Sequence, residues 1–238
     1  MKLMEPGTLL DGFVVGECIH SGGMAHIYQV HYADGAPDPG FPMVMKVPRM
    51  TAGDGAENIV SFEIEHQIMQ AISGPHVPRL VAAGDLDRIP YLVMEYVQGQ
   101  TLEHWLETPE LPDPGEVVRL GVAVANAAHS LHQQNTVHLD LKPANVLICP
   151  DGHAVLLDFG LSYCALYPDL LAEQLRRPVG STACVAPERV GCVSGAPPRR
   201  IVSTGSMLSP FPPCSLPFAV PPPCGAQGHA VGRGPAPR

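Results

Sequence analysis

The stretch His138-Leu139-Asp140-Leu141-Lys142-Pro143-Ala144-Asn145 places a carboxylate, a cation and a carboxamide close together. Asp140 can accept or orient the proton of a hydroxyl. Lys142, two residues on, can reach a phosphate in transfer. Asn145 can turn back to ligate a metal, and Pro143 forces the segment into a loop. Asp158-Phe159-Gly160 follows thirteen residues after Asn145, at the end of an apolar run. A carboxylate there can hold Mg²⁺, and the glycine permits a sharp turn. This set supplies most of what phosphoryl transfer from ATP to a hydroxyl requires.

Two parts of that chemistry remain, and both have candidates upstream. A phosphate cradle fits Ile19-His20-Ser21-Gly22-Gly23-Met24-Ala25-His26-Ile27-Tyr28, where small residues let backbone N–H groups approach phosphate oxygens. A cation for the phosphates fits Lys46, at the end of Met43-Val44-Met45. Its carboxylate partner would be Glu65, with Glu63 as the rival if the helix register differs. Taken singly, each has a plainer reading: a hairpin turn, a solvent-facing edge lysine, a solvated helix face. Their order along one chain joins them to Asp140 and Asp158.

These side chains need elements to hold them. Apolar runs at 13–19 and 26–32 flank Gly22-Gly23 and predict a hairpin. A Pro/Gly/Asp loop at 33–40 leads to a third strand at 43–47. Residues 57–72 have helical spacing, with Ile64, Ile68, Met69 and Ile72 on one face. Strands are expected again at 79–83 and 91–96. Thr101 can cap a short helix. Asp113-Pro114 starts a longer one, with Asp as cap and Pro in the first turn. Its buried face is expected to be Val117, Leu120, Gly121, Val124, Ala128 and Leu131. Two short strands at 145–148 and 154–157 are joined by a Pro150-Asp151-Gly152 turn. The whole is an α+β arrangement, a mostly antiparallel sheet with one helix against it and a helical region after it.

Composition bounds the class. The chain has 238 residues, net charge −9 and 45% hydrophobic residues, as ordinary soluble domains do. Nothing up to residue 188 is basic enough to suggest nucleic acid. The seven cysteines, at 18, 149, 164, 184, 192, 214 and 224, form no C-x-x-C pair, so spacing suggests neither a zinc site nor a redox motif. Scattered free thiols fit a reducing, cytoplasmic setting. Glu5, Pro6 and Asp11 argue against a signal peptide. No apolar run approaches the roughly 18–20 residues of a membrane span. After Glu188 the character changes: the last 50 residues hold eleven prolines, five arginines and no acid. Residues 191–238 are expected to be disordered or aberrant, as a linker or as a frameshifted or spliced end.

In this order, the segments resemble the eukaryotic-like protein kinase family, of the bacterial serine/threonine type. HLDLKPAN, DFG and VAPER carry the likeness, which runs from Gly12 to Val190. The resemblance implies a bilobal fold. Residues 8–96 would form the nucleotide-binding lobe and 97–190 part of the catalytic lobe. Lys46 would contact the α/β-phosphates and Glu65 would fix Lys46. Asp140 would be the catalytic base, with Lys142 beside it, and Asn145 and Asp158 would hold Mg²⁺. Ile19, Ser21, Gly22 and Gly23 would line the phosphates. Ile27, Val44 and Leu147 would sandwich adenine. Met94 would be the gatekeeper, with Glu95-Tyr96-Val97 as the hinge. Ala186-Pro187-Glu188 matches the family's A-P-E. Lys142, and Ser181 in Gly180-Ser181-Thr182, point to serine/threonine rather than tyrosine substrates. The implied partner is a protein bearing such a hydroxyl.

Four departures qualify the likeness. His20 and Ala25 replace the outer glycines of the G-x-G-x-x-G pattern. Leu139 replaces the arginine of H-R-D, which removes a guanidinium that would clamp a loop phosphate. Activity is therefore expected not to depend on phosphorylation between Phe159 and Ala186. A complete domain of the family needs about 250–280 residues, and no apolar pattern for its later helices follows Glu188. The chain thus reads as truncated, with a catalytically inactive fragment or nucleotide-binding pseudokinase as the alternative. A small-molecule kinase shares H-x-D and Asn, but usually lacks Lys142-Pro143 and the A-P-E segment.

Overall fold

The computed structural model describes residues 3–33, 39–49, 55–85, 88–107 and 113–170. Ser181, the Ala186-Pro187-Glu188 segment and the proline-rich stretch 191–238 lie outside them.

The first half is a six-stranded antiparallel sheet. Its strands are β1 (Leu9–Leu10), β2 (Phe13–Ser21), β3 (Ala25–Tyr32), β4 (Met43–Pro48), β5 (Leu80–Ala83) and β6 (Leu92–Glu95). The spatial order is β1-β2-β3-β4-β6-β5. Strands β2 and β3 form the expected hairpin, with irregular register between Val15 and His20. One sheet face buries Phe13, Val15, Tyr28, Val30, Met43, Met45, Tyr91 and Val93 together. Strand β4 is central and buried on both faces, so it reads as an almost unbroken apolar run. Lys46 is its polar exception, opposite Ile27 on one side and Leu92 on the other.

Helix α1 (Gly55–Ala71) packs its Val60, Phe62, Ile64, Ile68 and Met69 into a second core. That core also takes Leu92 from the sheet and Leu131, Val146, Leu156 and Phe159 from the second half of the chain. The helix therefore joins strands far apart in sequence through one apolar contact zone.

After β7 (Gln100–Thr101) come α2 (Leu102–Leu106) and α3 (Pro114–Gln133). Thr101 caps α2 by accepting from the His104 amide, and Asp113 caps α3 by accepting from Glu116. The buried face of α3 differs from the sequence expectation. Ala127 and Leu131 are buried, while Val117 and Gly121 face out. Leu120, Val124 and Ala128 are half-buried beside them. The stripe that meets the core runs through Ala123, Val124, Ala127 and Leu131, spaced three and four apart on one helix face. Val118 and Val122 are also exposed.

The remaining strands are β8 (Thr136–Val137), β9 (Val146–Ile148), β10 (Ala154–Leu156) and β11 (Tyr163–Cys164). β9 and β10 form a hairpin whose outer neighbour is β7, and β8 pairs with β11. The hairpin turn is closed by Gly152 N–H donating to the Cys149 carbonyl and Cys149 N–H donating to that of His153. Among the described residues, no helix is long and apolar enough to cross a membrane.

Candidate active site

Lys46 stands where the sheet, α1 and the segment after β10 meet. Its ammonium lies 2.6 and 2.8 Å from the two Glu65 carboxylate oxygens, and 2.9 Å from Asp158 Oδ1. Glu65 is 3% exposed. Its register on α1 is settled by burial, because Glu63 faces outward and accepts from Gln67 at 2.8 Å. The rival assignment is thereby excluded. Burial alone would pull the Lys46 ammonium down, but Glu65 and Asp158 outweigh it and hold the lysine well above its ordinary range. Burial pushes Glu65 up, against the pull of Lys46. Lys46 holds Asp158 below the usual carboxylate range. Glu65 also accepts from the Phe159 amide, which ties α1 to the strand end carrying Asp158.

The loop between β8 and β9 presents the second group. Asn145 Nδ2 donates to the Asp140 backbone carbonyl at 3.0 Å and to its Oδ2 at 3.2 Å. Lys142 Nζ lies 2.9 Å from the same Oδ2. Pro143 opens a single 3₁₀ turn, Pro143–Asn145, that swings the carboxamide back over Asp140. Leu139 and Asp158 both adopt the left-handed backbone region, at φ 60° and 65°. Such conformations cost non-glycine residues roughly 1–2 kcal/mol and persist where surrounding contacts hold them.

Here the contacts are visible. His138 Nε2 meets the Leu157 carbonyl at 2.9 Å, and Ser162 Oγ donates to the His138 carbonyl at 2.9 Å. The His138 and Phe159 rings lie 5.2 Å apart, with Phe159 fully enclosed. Leu157 N–H donates to the Asn145 carbonyl at 2.9 Å. The two loops are thus cross-tied at three points, and burial keeps His138 below its usual value. Sequence spacing did not reveal these ties, because histidine and serine in a loop carry no signal of their partners.

The glycine segment is tied from outside. Arg49 Nη1 donates to the Gly22 carbonyl at 2.8 Å, and its backbone N–H to the Met24 carbonyl at 2.8 Å. Ser21 Oγ is hydrogen-bonded to His26 Nδ1 at 3.0 Å. Gly23 lies in the bend itself, and Ile19 lies on β2 before it.

The apolar candidates come from two sheets, Ile27, Val44 and Met94 from β3, β4 and β6 and Leu147 from β9. Val44 is opposite Met94, and Leu147 packs in one cluster with Val97, Val155 and Leu157. Glu95 is paired with Arg79 at 3.0 Å. Gly99 follows Val97, and a Cβ there would lie 2.6 Å from the Ile148 carbonyl, so only glycine lets the chain pass this close to β9. An open groove between α1 and the edge strand β5, lined by His66, Gln70 and residues 80–85, contains none of these side chains.

The donor set fits a small hard cation. Asp158 offers carboxylate oxygen. With the Asn145 amide nitrogen committed to Asp140, its oxygen is the atom left to ligate. Oxygen donors of this kind suit Mg²⁺, which keeps waters and uses few protein ligands.

Lys46 thus joins Glu65 to Asp158, and the ties through Leu157 join Asp158 to the loop of Asp140, Lys142 and Asn145. The protein kinase domain family matches residues 13–219, and this chain belongs to it. A protein named probable serine/threonine-protein kinase pknA2, of Bifidobacterium longum, is 30% identical over 80% of this chain and 25% of its own length. A probable serine/threonine-protein kinase of Streptomyces coelicolor is 26% identical over 86% of this chain and 30% of its own. The chain therefore spans about a quarter to a third of those relatives. The PknI kinase domain of Mycobacterium tuberculosis superposes with a TM-score of 0.54 at 25% identity, covering 67% of this chain and 64% of that one. The fold is accordingly of the protein kinase type.

Proposed function

We propose that this chain acts as a serine/threonine protein kinase, transferring the terminal phosphoryl group of Mg·ATP to protein hydroxyls. The observation that carries the reading is Lys46 held between Glu65 and Asp158. A lysine so fixed is a preset cation for phosphate oxygens. Ser21, Gly22 and Gly23 would offer backbone and side-chain donors to the same phosphates. Ile19, Ile27, Val44, Met94 and Leu147 would enclose the adenine, with Glu95 and Val97 presenting backbone groups to its edge. Asn145 and Asp158 would hold Mg²⁺, which supplies charge neutralisation on the transferring phosphate.

Asp140 then has one task. It accepts the hydrogen of the incoming serine or threonine hydroxyl and aims that oxygen at phosphorus. Asn145 and Lys142 fix its carboxylate from two sides. Lys142 also offers a positive charge to the phosphoryl oxygens as they move. The enclosed Phe159 and the cross-tied loops keep these groups from rearranging during transfer.

A second reading, nucleotide binding without transfer, uses the same Lys46, Glu65 and Asp158 and differs in whether Asp140 supports transfer. Melting the full chain with and without Mg·ATP, beside Lys46→Met and Asp158→Ala, tests binding. A ligand at a hundredfold excess over its Kd stabilises by roughly 2.7 kcal/mol. Phosphate incorporation into a generic basic protein, lost in Asp140→Asn, tests transfer. An upward shift without incorporation would leave the second reading; no shift at all would overturn both.

A further inference from the structure

The turn of the β9–β10 hairpin brings together three side chains that the phosphotransfer site does not use. Cys149 Sγ, a carboxylate oxygen of Asp151 and a ring nitrogen of His153 all lie within 4.8 Å of one another. They occupy alternate positions in Cys149-Pro150-Asp151-Gly152-His153. The turn is closed by two backbone hydrogen bonds, so the three are gathered without further ordering of the chain. Cys149 is buried among Leu147, Val155 and Val97, while Asp151 and His153 stand at the solvent side. An ion could therefore enter from outside and find a thiol beneath.

We infer that this turn is a binding site for a thiophilic divalent cation of the Zn²⁺ class, held by Cys149 Sγ, Asp151 carboxylate and His153 Nδ1. Sulfur, imidazole nitrogen and carboxylate oxygen are the three donor types that Zn²⁺ takes. A hard cation such as Mg²⁺ would not select thiolate and imidazole. Ligand bonds of about 2.0–2.3 Å put tetrahedral donors about 3.3–3.8 Å apart. The observed spread needs only small side-chain movement to reach that. His153 Nδ1 is already hydrogen-bonded to Asp151 Oδ1, and the ion takes the place of the shared hydrogen. The imidazole then carries its hydrogen on Nε2. Water completes the fourth position.

His76 supports the arrangement from behind. Its ring lies edge-on to His153, with centroids 6.2 Å apart. Its Nδ1–H donates to the Ala154 carbonyl at 2.8 Å, which anchors it to the start of β10. Capture at Cys149 exchanges one proton: the S–H bond breaks, the S–metal bond forms, and the proton passes to solvent. Burial, then Asp151 and Glu95, pushes the Cys149 thiol up. The consequence is a clamp on the hairpin that leads out of Asn145 and into Asp158, four residues and five residues from the ligands at either end.

The test is titration of the full chain with Co²⁺ alone, under reducing conditions free of chelator. A thiolate-to-cobalt charge-transfer band should rise to one ion per chain and be bleached by Zn²⁺. The band should be lost in Cys149→Ser and in His153→Gln and weakened in Asp151→Asn. It should be unchanged in Cys18→Ser and in Asp158→Ala, the latter placing it apart from the nucleotide site. His153 is on the surface, so its variant keeps the test free of folding effects. A band that survives His153→Gln, one that vanishes in Asp158→Ala, or no saturable binding would each overturn the inference.

Discussion

Lys46 and Asp158 are 112 residues apart in sequence, and their side chains meet at 2.9 Å. Glu65 completes the pair from α1 at 2.6 Å. One ammonium thus fastens the sheet, the helix and the strand end after β10. Its removal should affect the fold as well as the proposed nucleotide site.

Lys46→Met is expected to abolish the Mg·ATP-dependent shift and also to lower the stability of the unliganded chain. Breaking a buried ion pair on one side costs about 3–5 kcal/mol, because the remaining charge is left unpaired. Glu65 is that charge. Lys46→Met combined with Glu65→Leu should regain much of the loss, since a neutral pair of similar volume needs no solvation. Denaturant melts of the two variants check this; equal stability of both would refute it.

Gly160→Ala is expected to displace the segment carrying Asp158. A Cβ at Gly160 would lie 2.0 Å from Ser61 Oγ and 3.1 Å from the Ser61 carbonyl of α1. Overpacking of this kind costs about 1–3 kcal/mol. Ser61→Gly should restore part of it by removing the hydroxyl and its Cβ. Thermal melts of the single and double variants measure the coupling, which should be far from additive.

Arg49→Ala is expected to lower the unliganded melt and, by loosening the bend at Gly22, to weaken nucleotide binding. Arg49 holds the Gly22 carbonyl from the far side of the phosphate bend. A charge-assisted hydrogen bond contributes about 1.5–3 kcal/mol to the folded chain, so the melt should fall by an amount of that order and affinity for Mg·ATP should fall with it. Calorimetric titration of the variant reads this directly. Unaltered affinity would show that the bend keeps its shape without the guanidinium.

Tyr91 sets an alkaline limit. Its hydroxyl donates to Asp11 Oδ2 at 2.9 Å. Burial, with that carboxylate, pushes the phenol up to about 12 from an ordinary 10.0. The folded state therefore favours the protonated phenol. The stabilisation is fully present below pH 10 and is lost as pH rises from about 10 to about 12, where the folded chain must also ionise. Tyr91→Phe should flatten the fall of stability over that interval and remove the latest phenolate in an ultraviolet titration. An unchanged alkaline profile would show that Tyr91 titrates as an exposed tyrosine does.

Much of the site was legible because its parts are local. Asp140, Lys142 and Asn145 act through one loop, so their spacing nearly specifies their geometry. The caps at Thr101 and Asp113 are likewise matters of three residues. The α3 face was misjudged at Val117 and Gly121. A helix pattern names several adjacent apolar rows, and only the packing of β8 and β10 selects one. The Cys149, Asp151 and His153 cluster escaped notice for another reason. It lacks the paired-cysteine spacing, and its donors converge only once the hairpin turn has formed.

The sequence by itself determined the longer strands, the helices and the turns, and the identity and order of the candidate site residues. Short-range sterics and the alternation of buried and open positions are written residue by residue, so they can be read without coordinates. Tertiary structure decided which glutamate meets Lys46, and that Asp158 joins them. It also decided that Arg49 braces Gly22 and that Ser61 leaves no room beside Gly160. Those pairings depend on the order of strands in the sheet and on how α1 lies against them. That placement is a property of the packed core as a whole, not of any one segment.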